Sequence, residues 1–288
     1  FTFADETGTS LGDVARLDTM VTVVDGFNFF RQMREARELA ELGETAGEGD
    51  DRTVTDLLTD QIEFADVILV SKSDLLAPDE FAKVVAFVAT LNPGARTLPV
   101  SFGQVPLAEV LDTGRFDMEA AQRSPAWVKE LMGEHVPETE EYGISSFVYR
   151  SRRPFHPERF WNLIQREWPG VVRSKGFFWL ATRPDWIGGW SQAGGACRFE
   201  PAGTWWATLD ERHWPRSADA RRRIRANFAE PYGDRRQEIV LIGIGMDRPA
   251  LEALLDSALV NDDEWSAGPA AWSALPDPFP TIEQMTGA

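Results

Sequence analysis

Residues 61–76 read Gln-Ile-Glu-Phe-Ala-Asp-Val-Ile-Leu-Val-Ser-Lys-Ser-Asp-Leu-Leu, the most informative stretch of the sequence. Its centre, Val67–Val70, is a run of apolar residues of which three are β-branched, which predicts a short strand buried on both faces of a parallel sheet. The polar residues Ser71–Asp74 come directly after it and therefore lie at the carboxyl end of that strand. Open α/β sheets bind their ligands at this edge. The stretch thus predicts a ligand-binding rim.

The chemistry of Lys72 and Asp74 fits recognition of a guanine base. A carboxylate at this position can accept hydrogen bonds from the N1–H and the exocyclic amine of guanine, and a lysine stem can lie across the base plane. GTPases use the pattern Asn/Thr-Lys-x-Asp in this way. The alternative is a polar loop after a strand, because Lys-x-Asp is a short pattern. On these residues alone both interpretations stay open.

Strands and helices alternate around this stretch. Further strands are predicted near residues 21–25 and 96–101, and an amphipathic helix over residues 54–65 precedes the central strand. Pro78 suits the first turn of the next helix, which Asn92-Pro93-Gly94 ends. Residues 1–112 are therefore predicted to form a parallel α/β sheet with helices.

Two polar residues at the other strand ends are candidates for the same rim. Asp25 ends the first strand and either faces a bound ligand or only forms a turn. Ser101 comes after the third strand, where GTPases present backbone N–H groups to guanine O6. Its alternative role is the N-cap of a following helix, and the two roles are compatible.

The second half of the chain predicts a smaller α+β domain. Strands are expected at 144–149, 176–182, 186–191, 196–199 and 239–244, with helices at 157–167 and 249–259. Residues 113–142 are rich in charge and proline and predict a linker. Residues 263–288 predict a loosely ordered tail. Arginines crowd residues 216–236, which either dock an acidic partner or form a solvated arm around an exposed loop.

Several segments resemble the CobW-type P-loop GTPases, a family of metallochaperones. They are residues 17–25, 52–76, 173–176 and 239–245, in the family's order. The resemblance implies that Ser71, Lys72, Asp74 and Ser101 bind the guanine of GTP, with Ser71 in place of the usual Asn. It implies that the intact protein binds GTP with Mg²⁺ and zinc or cobalt, and that hydrolysis is coupled to delivering the metal to a client protein.

The resemblance also divides the chain. Residues 1–112 correspond to the C-terminal part of a GTPase domain, 113–142 to a linker and 143–262 to the CobW-like C-terminal domain. Within the 288 residues there is no Gly-x-x-x-x-Gly-Lys-Ser/Thr phosphate-binding loop. We expect an N-terminally truncated chain, a fragment without the first strands of a P-loop NTPase sheet. It would be inactive as a GTPase alone, have no catalytic residue of its own, and tend to self-associate through an open sheet edge.

Composition excludes several other classes of function. The formal net charge of −17 argues against nucleic-acid binding. No apolar run reaches the length of a membrane span, and a cytoplasmic location is expected. The single Cys197 and three scattered histidines predict no metal site within these residues. The alternative to a GTP-dependent metallochaperone is a non-enzymatic module in which the second domain docks a protein.

Overall fold

The computed structural model describes residues 8, 10, 12, 14–33, 53–117, 127, 128, 141–281, 284 and 285. The chain divides into two compact units, Phe1–Ser145 and Ser146–Ala288. Most of the segment predicted as a linker, residues 118–126 and 129–140, lies outside the described residues. Its first residues are tied to the first unit, because the Asp18 carboxylate accepts hydrogen bonds from the backbone N–H groups of Thr113 and Gly114, both at 2.8 Å.

The first unit contains a three-stranded parallel sheet with helices. Its elements are β1 (Val21–Asp25), α1 (Phe29–Gln32), α2 (Val54–Glu63), β2 (Val67–Ser71), α3 (Pro78–Leu91) and β3 (Arg96–Val100). The strand order is β1-β2-β3, and both pairings are parallel. The predicted α/β class is confirmed.

The central strand β2 is buried on both faces. Val67, Ile68 and Val70 are fully buried and Leu69 is 7% exposed. Because alternate residues point to opposite faces, both faces of the strand are covered by apolar contacts. Polar hydrogen bonds at both ends stabilise α2, the helix that precedes β2. A capping box between Thr53 and Asp56 satisfies backbone N–H groups at the start of α2. At the other end, one buried side chain closes the turn into β2.

That side chain is Asn92, which lies directly after α3 and is 1% exposed. Its amide nitrogen donates to the carbonyl oxygens of Ile62, Glu63 and Ala65 at 2.9, 3.2 and 2.9 Å. Helix C-termini leave carbonyl groups without intrahelical partners. Asn92 donates hydrogen bonds to such carbonyl groups at the end of α2. The residue predicted as a helix stop therefore also sets the position at which β2 begins.

One face of this sheet is only partly covered. On it, Val67 and Leu69 cluster with Val100 and with residues of the loop after β3. Val21 and Val23 pair with Val67 and Leu69 in the β1–β2 register and so share this face. They are nevertheless 37% and 61% exposed. Within the described part of the chain, β1 is an edge strand with an exposed apolar face.

The second unit contains a five-stranded sheet and short helices. Its elements are β4 (Ile144–Ser151), α4 (Pro157–Ile164), β5 (Val171–Phe178), β6 (Trp186–Ala193), β7 (Ala196–Thr204), α5 (Ala218–Ala226), β8 (Gln237–Ile244), α6 (Arg248–Asp256), α7 (Asp262–Ala267) and α8 (Pro269–Trp272). The strand order is β4-β8-β5-β6-β7. Strand β5 runs antiparallel to both β8 and β6, and β6 runs antiparallel to β7. The predicted α+β class is confirmed.

Two predictions for the second unit need correction. The strand expected at 176–182 occupies 171–178, because the chain is already paired with β8 from Val171 onward. The solvated arm expected around residues 216–236 contains the helix α5. Ser217 caps it, with its hydroxyl oxygen accepting from the backbone N–H of Ala220.

The expectation of a loosely ordered tail over residues 263–288 is wrong in its described part. Trp272 is 1% exposed and Phe279 5% exposed. Phe279 contacts four aromatic rings of the domain core, with centroid separations of 5.0–6.1 Å to Phe160, Trp161, Phe178 and Phe199. The Asp277 carboxylate accepts a 2.8 Å hydrogen bond from Arg183 Nε, which anchors the segment to the sheet domain.

Candidate functional site

The carboxyl ends of the three parallel strands meet at one edge of the sheet. The register pairs Asp25 with Ser71 and Ser71 with Val100. Lys72 and Ser101 are the next residues along two of these strands. The edge at which open α/β sheets bind ligands therefore carries polar residues from all three strands, and we refer to Asp25, Ser71–Asp74 and Ser101 as the polar rim.

An ion pair crosses the polar rim. Lys72 Nζ lies 2.7 Å from Asp25 Oδ2. The same carboxylate accepts from the backbone N–H of Asn28 at 3.1 Å and from its side-chain amide at 2.8 Å. Burial acts to raise the pKa of Asp25, but the hydrogen bonds from Lys72 and Asn28 outweigh it and lower that pKa. Asp25 therefore both forms the turn into α1 and holds the lysine head.

Ser71 connects the first two strands. Its hydroxyl donates to the carbonyl oxygen of Val24 at 2.9 Å, and its own carbonyl accepts from the Gly26 N–H at 3.1 Å. A Cβ on Gly26 would lie 2.8 Å from Val70 Cγ1 and 3.0 Å from the Ser71 carbonyl oxygen, so a larger residue there requires the strand end to shift. The Ser71 hydroxyl is thus engaged with backbone, and Ser71 contributes to the polar rim by fixing the position at which Lys72 leaves the strand.

Asp74 lies in a single 3₁₀ turn, Ser73–Leu75, directly after the strand. The turn is opened by Lys72, whose φ of 56° lies in the left-handed region. Non-glycine residues seldom adopt this conformation, and it is enriched at functional sites. Asp74 is exposed, and within the described part of the chain its carboxylate makes no hydrogen bond or ion pair. Both of its oxygens can therefore accept hydrogen bonds from a ligand.

The loop after β3 is tied to the loop after β2. Ser101 Oγ lies 3.0 Å from Ser73 Oγ. A tight turn comes next, closed by a 3.0 Å hydrogen bond from the Gln104 N–H to the Ser101 carbonyl. The turn residues Phe102 and Gly103 have φ of 54° and 70°, and the Phe102 side chain is 87% exposed. Ser73 thus fixes the distance between the two loops.

The structure brings Lys72 and Ser101 to one edge with Asp74 in the adjoining turn. Sequence reasoning left the role of Asp25 open and did not assign Ser73 to the site. The signal for Asp25 was present, because an acidic residue at the end of a strand neighbouring Lys72 can reach its ammonium group. The contact between Ser73 and Ser101 depends on how two loops fold, and no sequence pattern marks it.

Two further properties bear on function. In the described ranges, no three His, Cys, Asp or Glu side chains group closely enough to hold a metal ion. No helix that the structure describes combines the length and apolar character needed to cross a bilayer.

The fold is that of a parallel α/β protein, with polar residues at the carboxyl ends of its strands, followed by an α+β domain. Comparison with protein families matches residues 2–99 to the CobW/HypB/UreG nucleotide-binding domain and residues 144–259 to the cobalamin synthesis protein cobW C-terminal domain. The two matches have the same order as the two units. The chain belongs to the CobW family.

Two curated relatives are informative. "Zinc-regulated GTPase metalloprotein activator 1" of Dictyostelium discoideum is 41% identical over 290 residues, which cover 99% of this chain and 61% of that protein. "Zinc chaperone Rv0106" of Mycobacterium tuberculosis is 31% identical over 233 residues, 80% of this chain and 55% of that protein. The chain therefore spans only about three fifths of the length of these relatives.

A comparison of structures finds Zn(II)-bound YjiA GTPase from E. coli. The sequence identity is 16%, and the match covers 85% of this chain and 62% of the YjiA chain. The TM-score is 0.32, which is too low for this likeness to support any argument about function.

Proposed function

We propose that the polar rim binds the guanine base of GTP, and that the protein couples GTP hydrolysis to delivering a metal ion to a client protein. The observation that carries the proposal is the Asp74 carboxylate, exposed and unengaged in the described part of the chain, next to a lysine whose head is held by Asp25 at 2.7 Å. The names of the two relatives support zinc as the delivered ion, with cobalt as the other candidate from the family resemblance. Mg²⁺ would accompany the nucleotide phosphates.

In this proposal Asp74, Lys72, Asp25, Ser101 and Ser73 have distinct roles. The oxygens of Asp74 accept from guanine N1–H and from the exocyclic amine, a donor pair that adenine lacks. The Lys72 stem lies across the base while Asp25 holds its ammonium group in place. The turn after Ser101 brings backbone N–H groups near the base edge, and Ser73 keeps this turn at a fixed distance.

The 288 residues contain no Gly-x-x-x-x-Gly-Lys-Ser/Thr segment, so no step at the phosphates is assigned to them. The polypeptide of these residues alone should release no phosphate from GTP above the buffer rate. A phosphate-release assay at saturating GTP and Mg²⁺ checks this. Hydrolysis that survives repeated purification would show that these residues contain a phosphate site of a different kind.

Base recognition can be tested without the phosphates. Saturation-transfer NMR with guanosine and adenosine should give contacts for guanosine at millimolar concentration and much weaker ones for adenosine. Asp74→Ala should abolish the difference. Asp79→Ala, another exposed carboxylate five residues further on, is the matched control and should preserve it. Equal signals from the two nucleosides, or a difference unaffected by Asp74→Ala, would favour the non-enzymatic docking module.

A further inference from the structure

A groove in the second unit lies far along the chain from the polar rim and has no role in the proposed nucleotide chemistry. It runs between α5 and one face of the sheet and has a volume of about 310 Å³. Helix α5 contributes Ala220, Arg223 and Ile224, and Phe177 and Ile187 contribute from β5 and β6. A volume near 300 Å³ is at the lower end of the range for ligand sites, which suits one large side chain and its neighbouring backbone.

The floor of the groove is apolar and rigid. Trp205 is 2% exposed, and its indole N–H donates to the Trp186 carbonyl at 2.9 Å. Ile224, on the inner side of α5, is 8% exposed. A buried aromatic fixed by a hydrogen bond loses little conformational entropy when a partner side chain packs on it. The groove is therefore prepared for an apolar anchor.

The wall of the groove carries an excess of positive charge in a protein whose formal net charge is −17. Arg223 is exposed, and within the described residues its guanidinium has no hydrogen bond or ion pair. Arg236 binds Glu238 at 2.6 Å, but Arg150 binds the same carboxylate at 2.9 Å. Two arginines thus share one acidic group.

The remaining charges near the groove do not cancel this excess. The Asp234 carboxylate lines the groove, but its oxygens already accept from the N–H groups of Trp206 and Ala207 at 3.0 and 2.9 Å. Nearby Arg152 donates to the carbonyl oxygens of Asn227 and Gly233 at 2.8 and 3.3 Å. The pKa of Arg152 is lowered, mainly by burial and to a smaller extent by repulsion from Arg236.

We propose that this groove binds an acidic peptide segment of a partner protein, with one apolar side chain on Trp205 and Ile224 and flanking carboxylates on Arg223 and Arg236. Charge complementarity favours an acidic occupant, since guanidinium groups pair with carboxylates through charge-assisted hydrogen bonds. The apolar floor requires an anchor residue, which an inorganic anion lacks. The site is independent of the nucleotide proposal and can exist whether or not the polar rim binds guanine.

Titration calorimetry with defined peptides tests the proposal. The probes are five capped peptides, Glu-Asp-Glu-x-Asp-Glu-Asp, in which x is Phe, Trp, Leu, Ile or Met. At least one should bind the 288-residue chain at low salt with a Kd of about 1 mM or tighter. The peptide with Ala at x, and peptides with Lys in place of every acidic residue, should bind at least about tenfold more weakly.

Variants locate the binding. Arg223→Glu should weaken binding by at least about tenfold, because it replaces the unpaired cation with a like charge. Arg222→Glu is the matched control on the same helix. It does not line the groove and pairs with Asp219 on the surface, so binding should change by less than about twofold. Ala220→Trp fills the groove and should abolish binding.

Three outcomes would overturn the proposal. They are no saturable binding by any of the five peptides, equal binding of the Ala and apolar peptides, and equal losses from Arg223→Glu and Arg222→Glu. Sedimentation velocity of the unliganded chain distinguishes a second copy as the occupant. In that case Arg223→Glu, but not Arg222→Glu, would abolish a dimer, and the partner would be another molecule of this acidic chain.

Discussion

At the scale of single residues, Asp25 and Lys72 constrain each other at the polar rim. The lysine backbone is left-handed, with φ of 56°, and its side chain is held at 2.7 Å by a carboxylate from the neighbouring strand. A long, flexible side chain loses several rotamers in such an arrangement. Because this conformational entropy is lost before a ligand binds, the lysine is pre-organised for a base.

Replacing Asp25 with Asn should destabilise the first unit by about 1 kcal/mol at neutral pH, because the pair is partly exposed and screened by water. The pKa of Asp25 is lowered in the folded state. Its ionised form is therefore favoured by folding, and the stabilisation is fully present above the unfolded-state pKa of about 3.9. It should disappear as the pH falls through the lower folded-state pKa.

Urea unfolding of the wild type and of Asp25→Asn, from neutral pH into acid, measures this dependence. The difference in the free energy of unfolding should shrink as the solution becomes more acidic. Asp112→Asn is the control, since the Asp112 side chain is 97% exposed and lies 3.8 Å from Arg16. A difference for Asp25→Asn that stays constant down to the most acidic pH would contradict the assignment.

At the scale of secondary-structure elements, the connections between strands and helices set the geometry of the polar rim. Asn92→Ala should lower the free energy of unfolding by about 2–3 kcal/mol, because three carbonyl groups at the end of α2 lose their shared donor. Thr90→Ala is a matched control within α3. It removes only a hydroxyl bond to the Ala86 carbonyl and should change stability by less than about 0.5 kcal/mol. Equal effects of the two changes would remove Asn92 from this role.

The segment after α6 should behave as part of the sheet domain. Phe279→Ala removes a ring from a buried aromatic cluster and should cost about 3–5 kcal/mol. Ser273→Ala, an exposed change in the same segment, should be nearly neutral. Chemical unfolding monitored by near-ultraviolet circular dichroism reports both. A Phe279→Ala protein as stable as the wild type would restore the prediction of a loose tail.

Sequence could predict the elements in which apolar character is continuous or regularly spaced. Val67–Val70 and Ile239–Ile244 are such strands, and α3 shows helical spacing with a proline at its start. The start of β5 was missed because the charged residues Arg173 and Lys175 interrupt its apolar pattern. Arg173 is nevertheless buried, with 1% of its surface exposed. Helix α5 was missed because four arginines obscure the single buried Ile224. In both cases burial depends on neighbouring elements distant in sequence.

The candidate site likewise contains a part that the sequence predicts and a part that it does not. Lys72, Asp74 and Ser101 were predictable because strand ends of a parallel sheet share an edge. The link between Ser73 and Ser101 was not, since loop conformation decides it.

At the scale of the whole molecule, the exposed apolar face of β1 should promote association at high concentration. Val23 is 61% exposed at the edge of the described sheet. Val23→Lys should reduce this association, seen in sedimentation velocity as a smaller increase of the mean sedimentation coefficient with concentration. Leu209→Lys, at a residue 36% exposed in the second unit, should leave the increase unchanged. A chain that is monomeric at every concentration would refute the prediction.

A change of base preference distinguishes an Asp74 that reads the guanine base from an Asp74 that belongs only to a polar loop. Asp74→Asn replaces one acceptor oxygen with an amide donor, which faces the exocyclic amine of guanine without a partner. Xanthine carries a carbonyl oxygen at that position. Saturation-transfer NMR of the variant should therefore show stronger contacts for xanthosine than for guanosine, whereas the wild type shows the reverse. If Asp74→Asn still prefers guanosine, Ser71–Asp74 is only a polar loop and Asp74 does not read the base.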